Sequence, residues 1–169
     1  MEKYDVVIIG AGPAGIGMSS MLKDFGIKKM LVVEKGKVGQ TFDMWPQEMR
    51  FITPSFTTNF WSQMDLNSIA TGTSPAFTLE TEHPSGKEYA KYLRTLSDHS
   101  ELPIKENTEV QNVKYVDNTF IINIKNHSLI KSRFLIWAAG EYQYPNLNGF
   151  QGSHLCCHNS KIKSWKETL

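Results

Sequence analysis

A glycine-rich run near the N-terminus, Gly10-Ala-Gly-Pro-Ala-Gly15, has the spacing G-x-G-x-x-G of a dinucleotide-binding turn. Each glycine would serve a separate purpose there. Gly10 would permit a tight turn out of a strand, Gly12 would let a pyrophosphate approach the backbone, and Gly15 would let a helix pack closely on a sheet. The first helical turn, which begins with Pro13 and Ala14, would direct its N–H groups and dipole at the phosphates.

An acidic residue, Glu34, lies nineteen positions beyond Gly15. In a dinucleotide site an acid at this distance accepts hydrogen bonds from the adenosine ribose hydroxyls. The motif alone is a weak signal, and the alternative is a glycine turn that binds nothing, with Glu34 as a solvated acid at a strand end. The surrounding elements decide between these two interpretations.

Those elements have the required order. Tyr4–Ile9 is a short apolar run that predicts a buried strand. Ile16–Phe25 has helical apolar spacing and precedes Gly26, which fits a helix C-terminus. Met30–Val33 predicts a second strand that ends at Glu34, so one strand–helix–strand unit presents the glycines and the acid together.

The middle of the chain is less regular. Residues 35–76 are polar but rich in aromatic side chains, which predicts an ordered, irregular segment with short helices. Ser85–Asp98 reads as a helix with Ser85 and Glu88 as a capping box and an apolar face. Part of the aromatic set has two possible roles, contact with a flavin ring or simple packing of this segment: Trp45, Phe51, Phe56, Phe60 and Trp61.

The last part predicts more strands. Pro103-Ile104 begins a short one, and three alternating runs with two tight turns predict an antiparallel meander that lies against the first unit. A buried apolar strand follows. The three runs are Glu109–Tyr115, Phe120–Ile124 and Ser128–Lys131. The turns between them are Asp117-Asn118 and Asn126-His127, and the final strand is Phe134–Ala138. The fold class is therefore α/β, with a parallel sheet plus an antiparallel β-meander.

Composition narrows the partners. The 169 residues carry a net charge of +1 without a long run of one sign, so neither nucleic acid nor an anionic membrane is expected as a partner. The apolar run after Asp5 lacks the basic flank of a signal peptide, and no stretch is long enough to span a bilayer. We expect a soluble, cytoplasmic protein.

The two cysteines are adjacent, Cys156 and Cys157. Neighbouring residues rarely form a disulfide because the bond strains the peptide between them. The run from His154 to His158 has four metal-binding side chains in five residues, but so tight a spacing does not easily surround one tetrahedral ion. We expect no metal site, and the run reads better as a strand.

Two motifs carry a family resemblance. The run from Asp5 to Gly15 resembles the FAD site of flavin-dependent reductases and monooxygenases, and Phe134-Leu-Ile-Trp-Ala-Ala-Gly140-Glu-Tyr-Gln-Tyr-Pro145 resembles the A-T-G-x-x-x-x-P segment of the same families. Ala139 stands where that motif usually has Thr. The resemblance implies a Rossmann-like FAD/NAD(P)-binding fold, FAD as the cofactor, and NAD(P)H as the reductant of the longer protein.

The branch within these flavoproteins is less marked. Glutathione-reductase-like enzymes carry C-x-x-x-x-C after the ribose-binding acid, whereas this chain has Gly39-Gln-Thr-Phe-Asp-Met-Trp-Pro46, which is more like the G-G-x-W segment of flavin-containing monooxygenases. Phe150-Gln-Gly152 and His158-Asn-Ser160 are similar to that group's F-x-G…H-S segment. Bacillithiol-disulfide-reductase-like enzymes share this layout, so disulfide reduction, oxygenation and quinone reduction all stay open.

The resemblance also implies a set of FAD-binding residues. Besides the glycine turn and Glu34, it points to the backbone at Val110 for the adenine and adds Lys35, Gly39, Gln40, Thr41, Ala139 and Gly140. Residues 1–169 would form an FAD-binding domain without the NADPH-binding domain and the returning C-terminal FAD segment. We therefore expect weak FAD retention, no NADPH oxidation by this chain alone, and self-association through surfaces those parts would cover.

Three functions are compatible with these motifs to different degrees. The first is the FAD-binding part of a flavin-dependent NAD(P)H oxidoreductase, and the second is a non-catalytic FAD- or ADP-binding module. The third, an NAD-dependent dehydrogenase with a single dinucleotide site, is disfavoured because such enzymes need neither the meander nor the Ala138-Ala139-Gly140 segment.

Overall fold

The computed structural model describes residues 2–56, 65–125, 128–142, 144–147 and 149–167. Short 3-10 turns occupy Ser153–Leu155, Asn159–Lys161 and Trp165–Glu167. The helices and strands, in chain order, are β1 (Glu2–Ile9), α1 (Pro13–Asp24), β2 (Met30–Val33), α2 (Gln40–Asp43), α3 (Pro75–Leu79), α4 (Gly86–His99), β3 (Ile104–Lys105), β4 (Val110–Val116), β5 (Thr119–Ile124) and β6 (Leu129–Trp137).

The chain divides into two compact units. The sheet unit comprises Met1–Val38 and Leu93–Ala139, and the second unit comprises Gly39–Tyr92 and Gly140–Leu169. Among the described helices, none is long and apolar enough to cross a membrane.

The sheet unit contains six strands in the order β3-β2-β1-β6-β5-β4. β1 pairs in parallel with β2 and β6, and β2 pairs in parallel with β3. β4, β5 and β6 pair antiparallel, with a tight turn at Asp117 and Asn118, both of which have positive φ. The predicted α/β fold, with a parallel sheet and a meander, is confirmed.

One strand boundary was predicted wrongly. The expected strands Ser128–Lys131 and Phe134–Ala138 are a single strand, β6, which pairs with β5 at its start and with β1 along its length. Ser132 lies within this strand, is fully buried, and donates its hydroxyl to the carbonyl of Phe134 at 2.6 Å. The strand end is also less buried than expected: the ring of Phe134 is 54% exposed and lies under the Arg133 guanidinium.

The core of the sheet unit includes side chains from both the parallel and the antiparallel strands. Side chains from β1, β2, β5 and β6 form one buried apolar cluster, against which Val110 and Val113 of β4 pack. The meander therefore lies against the parallel strands, as predicted. The buried members are Val7, Ile9, Leu31, Val33, Ile122, Ile124 and Ile130.

Helix α1 ends as its sequence predicts. Gly26 has φ +81°, and its N–H donates to the carbonyl of Lys23, while the N–H of Ile27 donates to the carbonyl of Leu22. This pair of bonds is the Schellman motif, which needs a residue with positive φ at the position of Gly26.

The second unit is organised around aromatic side chains. Phe42, Trp45, Phe51 and Tyr89 form a cluster with ring centroids 4.4–5.9 Å apart. Trp45 and Phe51 therefore pack the irregular segment, and Phe56 is half exposed. Phe60 and Trp61, like the predicted turn at Asn126-His127, lie outside the described residues.

Helix α4 begins with the predicted capping box. The Glu88 carboxylate accepts hydrogen bonds from the backbone N–H and the hydroxyl of Ser85, both at 2.7 Å, and the Ser85 hydroxyl accepts from the N–H of Glu88 at 3.3 Å. The hydrogen bond from the Ser85 hydroxyl contributes most to lowering the pKa of the Glu88 carboxyl. Gly86, directly after the cap, approaches the backbone of Phe42 so closely that an added Cβ would overlap its carbonyl.

Candidate functional site

The candidate site lies at the carboxyl ends of three parallel strands. Ile9 at the end of β1 is in register with Val33 at the end of β2 and with Trp137 at the end of β6. In open α/β sheets ligands bind outside the carboxyl ends of the strands. The glycine turn leaves β1 at this edge, and α1 starts from it.

Gly10 forms the tight turn that the sequence predicts. It has φ +106°, its N–H donates to the carbonyl of Val33 at 2.8 Å, and an added Cβ would overlap the carbonyl oxygen of Ala138. The N–H of Ala138 in turn donates to the carbonyl of Ile9. The ends of β1, β2 and β6 thus meet around a position that only glycine can occupy.

Gly15 lies on the inner side of the first turn of α1. A Cβ at this position would overlap the carbonyl oxygen of Gly10 and would come within 3.6 Å of the side chain of Ile8. The requirement for glycine is therefore imposed by the close packing of α1 on the end of β1.

Gly12 differs from the other two glycines of the motif. It is the N-cap residue of α1 with φ −82° and ψ −171°, so its backbone conformation is open to any residue. Among the described residues, no atom outside its own chain neighbours lies within 4 Å of the position a Cβ would take. Pro13 and the exposed Ala14 start the helix beside this space. A pyrophosphate bound at the helix N-terminus would need this open space beside the backbone.

Glu34 has a structural task in addition to its predicted one. Its Oε2 accepts a hydrogen bond from the N–H of Ala11, and its Oε1 accepts one from the N–H of Gly36, both at 2.8 Å. The side chain is half-buried and ties the glycine turn to the loop after β2. The sequence spacing identified the acid but gave no signal for these two bonds.

A short segment after β3 holds the loop that follows Glu34. The N–H of Thr108 donates to the carbonyl of Glu34, the N–H of Asn107 donates to the carbonyl of Gly36, and the Glu106 carboxylate accepts from the N–H of Val38 at 2.8 Å. Sequence reasoning missed Glu106, because nothing in the local pattern connects residues 68 positions apart.

Lys35 and Val110 lie at the edge of this region. Lys35 is exposed, and its ammonium is 3.4 Å from Oε1 of Glu109. Lys125 contacts the same carboxylate at 2.7 Å, and the two lysines, Lys125 first, lower the pKa of Glu109. Val110, the first residue of β4, is half-buried against the apolar cluster.

Ala139 and Gly140 are neighbours in sequence but belong to different units. Ala139 belongs to the sheet unit, and its Cα would be 3.1 Å from a Cβ on Gly10, so it lies beside the glycine turn. Gly140 belongs to the second unit, is exposed and has φ +71°.

The remaining candidates are described within the second unit. Gly39 has φ +70° and is the N-cap residue of α2, whose first two residues are the exposed Gln40 and the half-buried Thr41. The carbonyl of Gly39 accepts the N–H of Phe42 at 2.9 Å. The structure therefore brings together Gly10, Gly12, Gly15, Glu34 and Ala139 at the carboxyl ends of the parallel strands. Gly39, Gln40, Thr41 and Gly140 belong to the second unit.

The cysteine run is not the predicted strand. Ser153–Leu155 forms a 3-10 turn that begins after Gly152 in a left-handed conformation, and the N–H of Cys156 donates to the carbonyl of Ser153 instead of entering a sheet. Both cysteines are exposed free thiols. In the parts of the chain that the structure describes, no three His, Cys, Asp or Glu side chains converge to hold a metal ion.

Comparison with known proteins identifies the family to which the chain belongs. Residues 7–168 match the family model described as pyridine nucleotide-disulphide oxidoreductase. The chain is 30% identical over 147 residues to the uncharacterized oxidoreductase CzcO of Bacillus velezensis, covering 85% of this chain and 38% of that protein.

Solved structures agree with the sequence match. The bacillithiol disulfide reductase Bdr (YpdA) from Staphylococcus aureus is 29% identical, with a TM-score of 0.76 over 92% of this chain and 44% of its own. A flavin-containing monooxygenase from Stenotrophomonas maltophilia shares the fold at 18% identity, with a TM-score of 0.71 over 91% of this chain and 43% of its own. The chain thus spans less than half the length of the relatives it matches, and it belongs to the pyridine nucleotide-disulphide oxidoreductase family.

Proposed function

We propose that this chain is the FAD-binding portion of a flavin-dependent NAD(P)H oxidoreductase. The observation that carries the proposal is the contrast within the glycine motif. Gly10 and Gly15 are fixed by packing, whereas at Gly12, the N-cap residue of α1, no described atom beyond its chain neighbours lies within 4 Å of an added Cβ. A helix N-terminus with an open backbone is suited to a pyrophosphate, because its N–H groups and its dipole both favour negative charge.

The adenosine half of FAD would lie next to Glu34. A carboxylate has about four lone-pair positions on its two oxygens, and the bonds from Ala11 and Gly36 use two of them. Enough acceptor capacity is left for the ribose hydroxyls. In this proposal Lys35 flanks the ribose, the backbone at Val110 meets the adenine, and Gly39, Gln40, Thr41, Ala139 and Gly140 bind the remainder of the cofactor.

NAD(P)H enters the proposal as the reductant of the longer protein. In enzymes of this kind the flavin accepts a hydride from a nicotinamide held close to it. The similarity to a bacillithiol disulfide reductase at 29% identity supports this oxidoreductase class. We also propose a cytoplasmic location, which suits an NAD(P)H-dependent enzyme.

The experiment is a titration of FAD followed by flavin fluorescence, with ADP as a competitor. We expect FAD to bind and ADP to displace it, because ADP carries the groups that the turn and Glu34 would hold. NADPH oxidation is measured in parallel with FAD present. We expect no NADPH oxidation by this chain alone, so steady NADPH oxidation would contradict that expectation, and the absence of both FAD and ADP binding would contradict the proposal.

A further inference from the structure

The loop that follows Glu34 is held from two sides within the sheet unit. On one side the Glu34 carboxylate accepts the N–H of Gly36 at 2.8 Å. On the other side the N–H of Asn107 donates to the carbonyl of Gly36 at 2.9 Å. The Glu106 carboxylate accepts the N–H of Val38 at 2.8 Å. Gly36 is therefore bonded through both of its backbone polar groups, and Glu106 fixes the loop two residues further on.

The main chain of Glu34 does not depend on this loop. Its N–H donates to the carbonyl of Lys105 at 2.9 Å, and its carbonyl accepts the N–H of Thr108 at 2.7 Å. These two bonds continue the parallel pairing of β2 with β3 beyond the strand ends. The loop instead affects the direction of the Glu34 carboxylate, because Oε1 is bonded to the N–H of Gly36.

The segment that carries Glu106 has a defined conformation of its own. It directly follows β3, so its start is fixed by the sheet. Asn107 has φ +51°, a left-handed conformation that asparagine adopts more readily than most residues. The hydroxyl of Thr108 donates to the carbonyl of Glu106 at 2.9 Å. The Glu106 carboxylate thus reaches Val38 from a short turn that is anchored on the sheet.

The partner of Glu106 is a backbone N–H on a buried residue, since Val38 is only 4% exposed. A buried donor without a partner is costly. Loss of the Glu106 carboxylate would therefore favour a shift of the loop that lets water reach the N–H of Val38. Such a shift would move Gly36 as well and would release Oε1 of Glu34.

We propose that Glu106 is a positioning residue for the adenosine ribose, which acts through Val38 and Gly36 on the carboxylate of Glu34. This inference rests on the proposed function, in which Glu34 binds the ribose hydroxyls. The glycine turn, which would bind the phosphates, is held by the other oxygen of Glu34 through the N–H of Ala11. Glu106 therefore affects binding of the nucleoside end of the ligand and leaves binding of the phosphate end unchanged.

The test measures binding of ADP and of inorganic pyrophosphate to the whole chain by titration calorimetry. Glu106→Ala removes the acceptor, whereas Glu106→Gln removes the charge but keeps a carbonyl oxygen for the N–H of Val38. Asp98→Ala, which removes an exposed acid elsewhere in the same unit, is the control.

We expect Glu106→Ala to weaken ADP binding by at least about fivefold, the equivalent of one ordinary hydrogen bond, and to leave pyrophosphate binding within about twofold of wild type. Glu106→Gln and Asp98→Ala should bind both ligands as wild type does. Amide hydrogen exchange of the unliganded variants supplies a second readout. Exchange at Val38 and Gly36 should be faster in Glu106→Ala and unchanged in Glu106→Gln.

Four results would overturn this role of Glu106. They are unchanged ADP affinity in Glu106→Ala, an equal loss of pyrophosphate affinity, unchanged exchange at Gly36, and a Glu106→Gln variant that binds ADP as weakly as Glu106→Ala. A wild-type chain that binds no ADP would instead contradict the proposed function, and this inference with it.

Discussion

The Oε2 atom of Glu34 lies 2.8 Å from the backbone nitrogen of Ala11, across 23 residues of sequence. Its other carboxylate oxygen accepts the N–H of Gly36. The residue proposed to bind the ribose is therefore also the residue that fixes the glycine turn against the loop after β2. Ligand binding and local stability are coupled at this one side chain.

Replacing Glu34 separates the two contributions. Glu34→Ala should lower the free energy of unfolding by roughly 1.5–3 kcal/mol, the range for a hydrogen bond to a charged group, even without ligand. It should also weaken ADP binding, by a similar roughly 1.5–3 kcal/mol. Urea denaturation and ADP titration measure the two effects. Glu82→Ala, at an exposed position, is the control. Loss of ADP binding with unchanged stability would show that the bonds to Ala11 and Gly36 contribute nothing.

Gly10 and Gly15 should respond as structural positions. Gly10→Ala places a Cβ on the carbonyl of Ala138 at a residue with φ +106°, and Gly15→Ala places one on the carbonyl of Gly10. Overpacking should cost roughly 1–3 kcal/mol in Gly15→Ala, and overpacking together with left-handed strain should cost roughly 2–5 kcal/mol in Gly10→Ala. Thermal unfolding followed by circular dichroism checks this, and wild-type stability in either variant would contradict the close approach seen here.

Gly86 is the corresponding position in the second unit. A Cβ there would overlap the carbonyl of Phe42 and lie 2.9 Å from Cβ of Trp45. We expect Gly86→Ala to destabilise the chain by roughly 1–3 kcal/mol through overpacking, although alanine is the better helix former. The change in the urea midpoint decides the sign. A gain in stability would mean that helix propensity outweighs the contact.

The capping box predicts a pH dependence. The hydrogen bonds from Ser85 lower the pKa of Glu88 below its ordinary value of 4.5. The cap therefore contributes its full stability above about pH 4.5, and this contribution is lost as the pH falls through the lower folded-state pKa. Glu88→Gln should flatten the acid side of the stability profile, measured by urea denaturation from pH 7 downward, whereas Glu82→Gln should not. Parallel profiles for wild type and Glu88→Gln would contradict it.

The sequence predicted the elements whose causes are local. The Schellman glycine Gly26, the capping box of Ser85 and Glu88, and the positive-φ turn at Asp117 are each defined by a few neighbouring residues, and all are confirmed. The three glycines of the turn before and at the start of α1 were identified because their spacing reflects the geometry of a single turn.

What the sequence did not predict depends on distant partners. β6 continues through the buried Ser132, whose hydroxyl donates to the carbonyl of Phe134, and the strand is held by pairing with β5 and with β1, which is far from it in the sequence. The role of Glu106 on Val38 and the bond from Ala11 to Glu34 join segments far apart in sequence. The cysteine run has strand-like composition but no ladder, because the N–H of Cys156 is used within its own turn.

The most direct test of the phosphate site at the glycine turn compares Gly12 with a second, similarly open glycine. Gly12 lies at the N-terminus of α1, and Gly149 lies in the second unit; in neither case does any described atom lie within 4 Å of an added Cβ, and neither has positive φ. The measurement is the ADP dissociation constant of Gly12→Val and Gly149→Val, each first shown by circular dichroism to be folded. We expect both variants to fold, and we expect at least about a tenfold loss of ADP affinity, roughly 1.4 kcal/mol, for Gly12→Val alone. Unchanged ADP affinity in a folded Gly12→Val variant would contradict the placement of the phosphates at this turn.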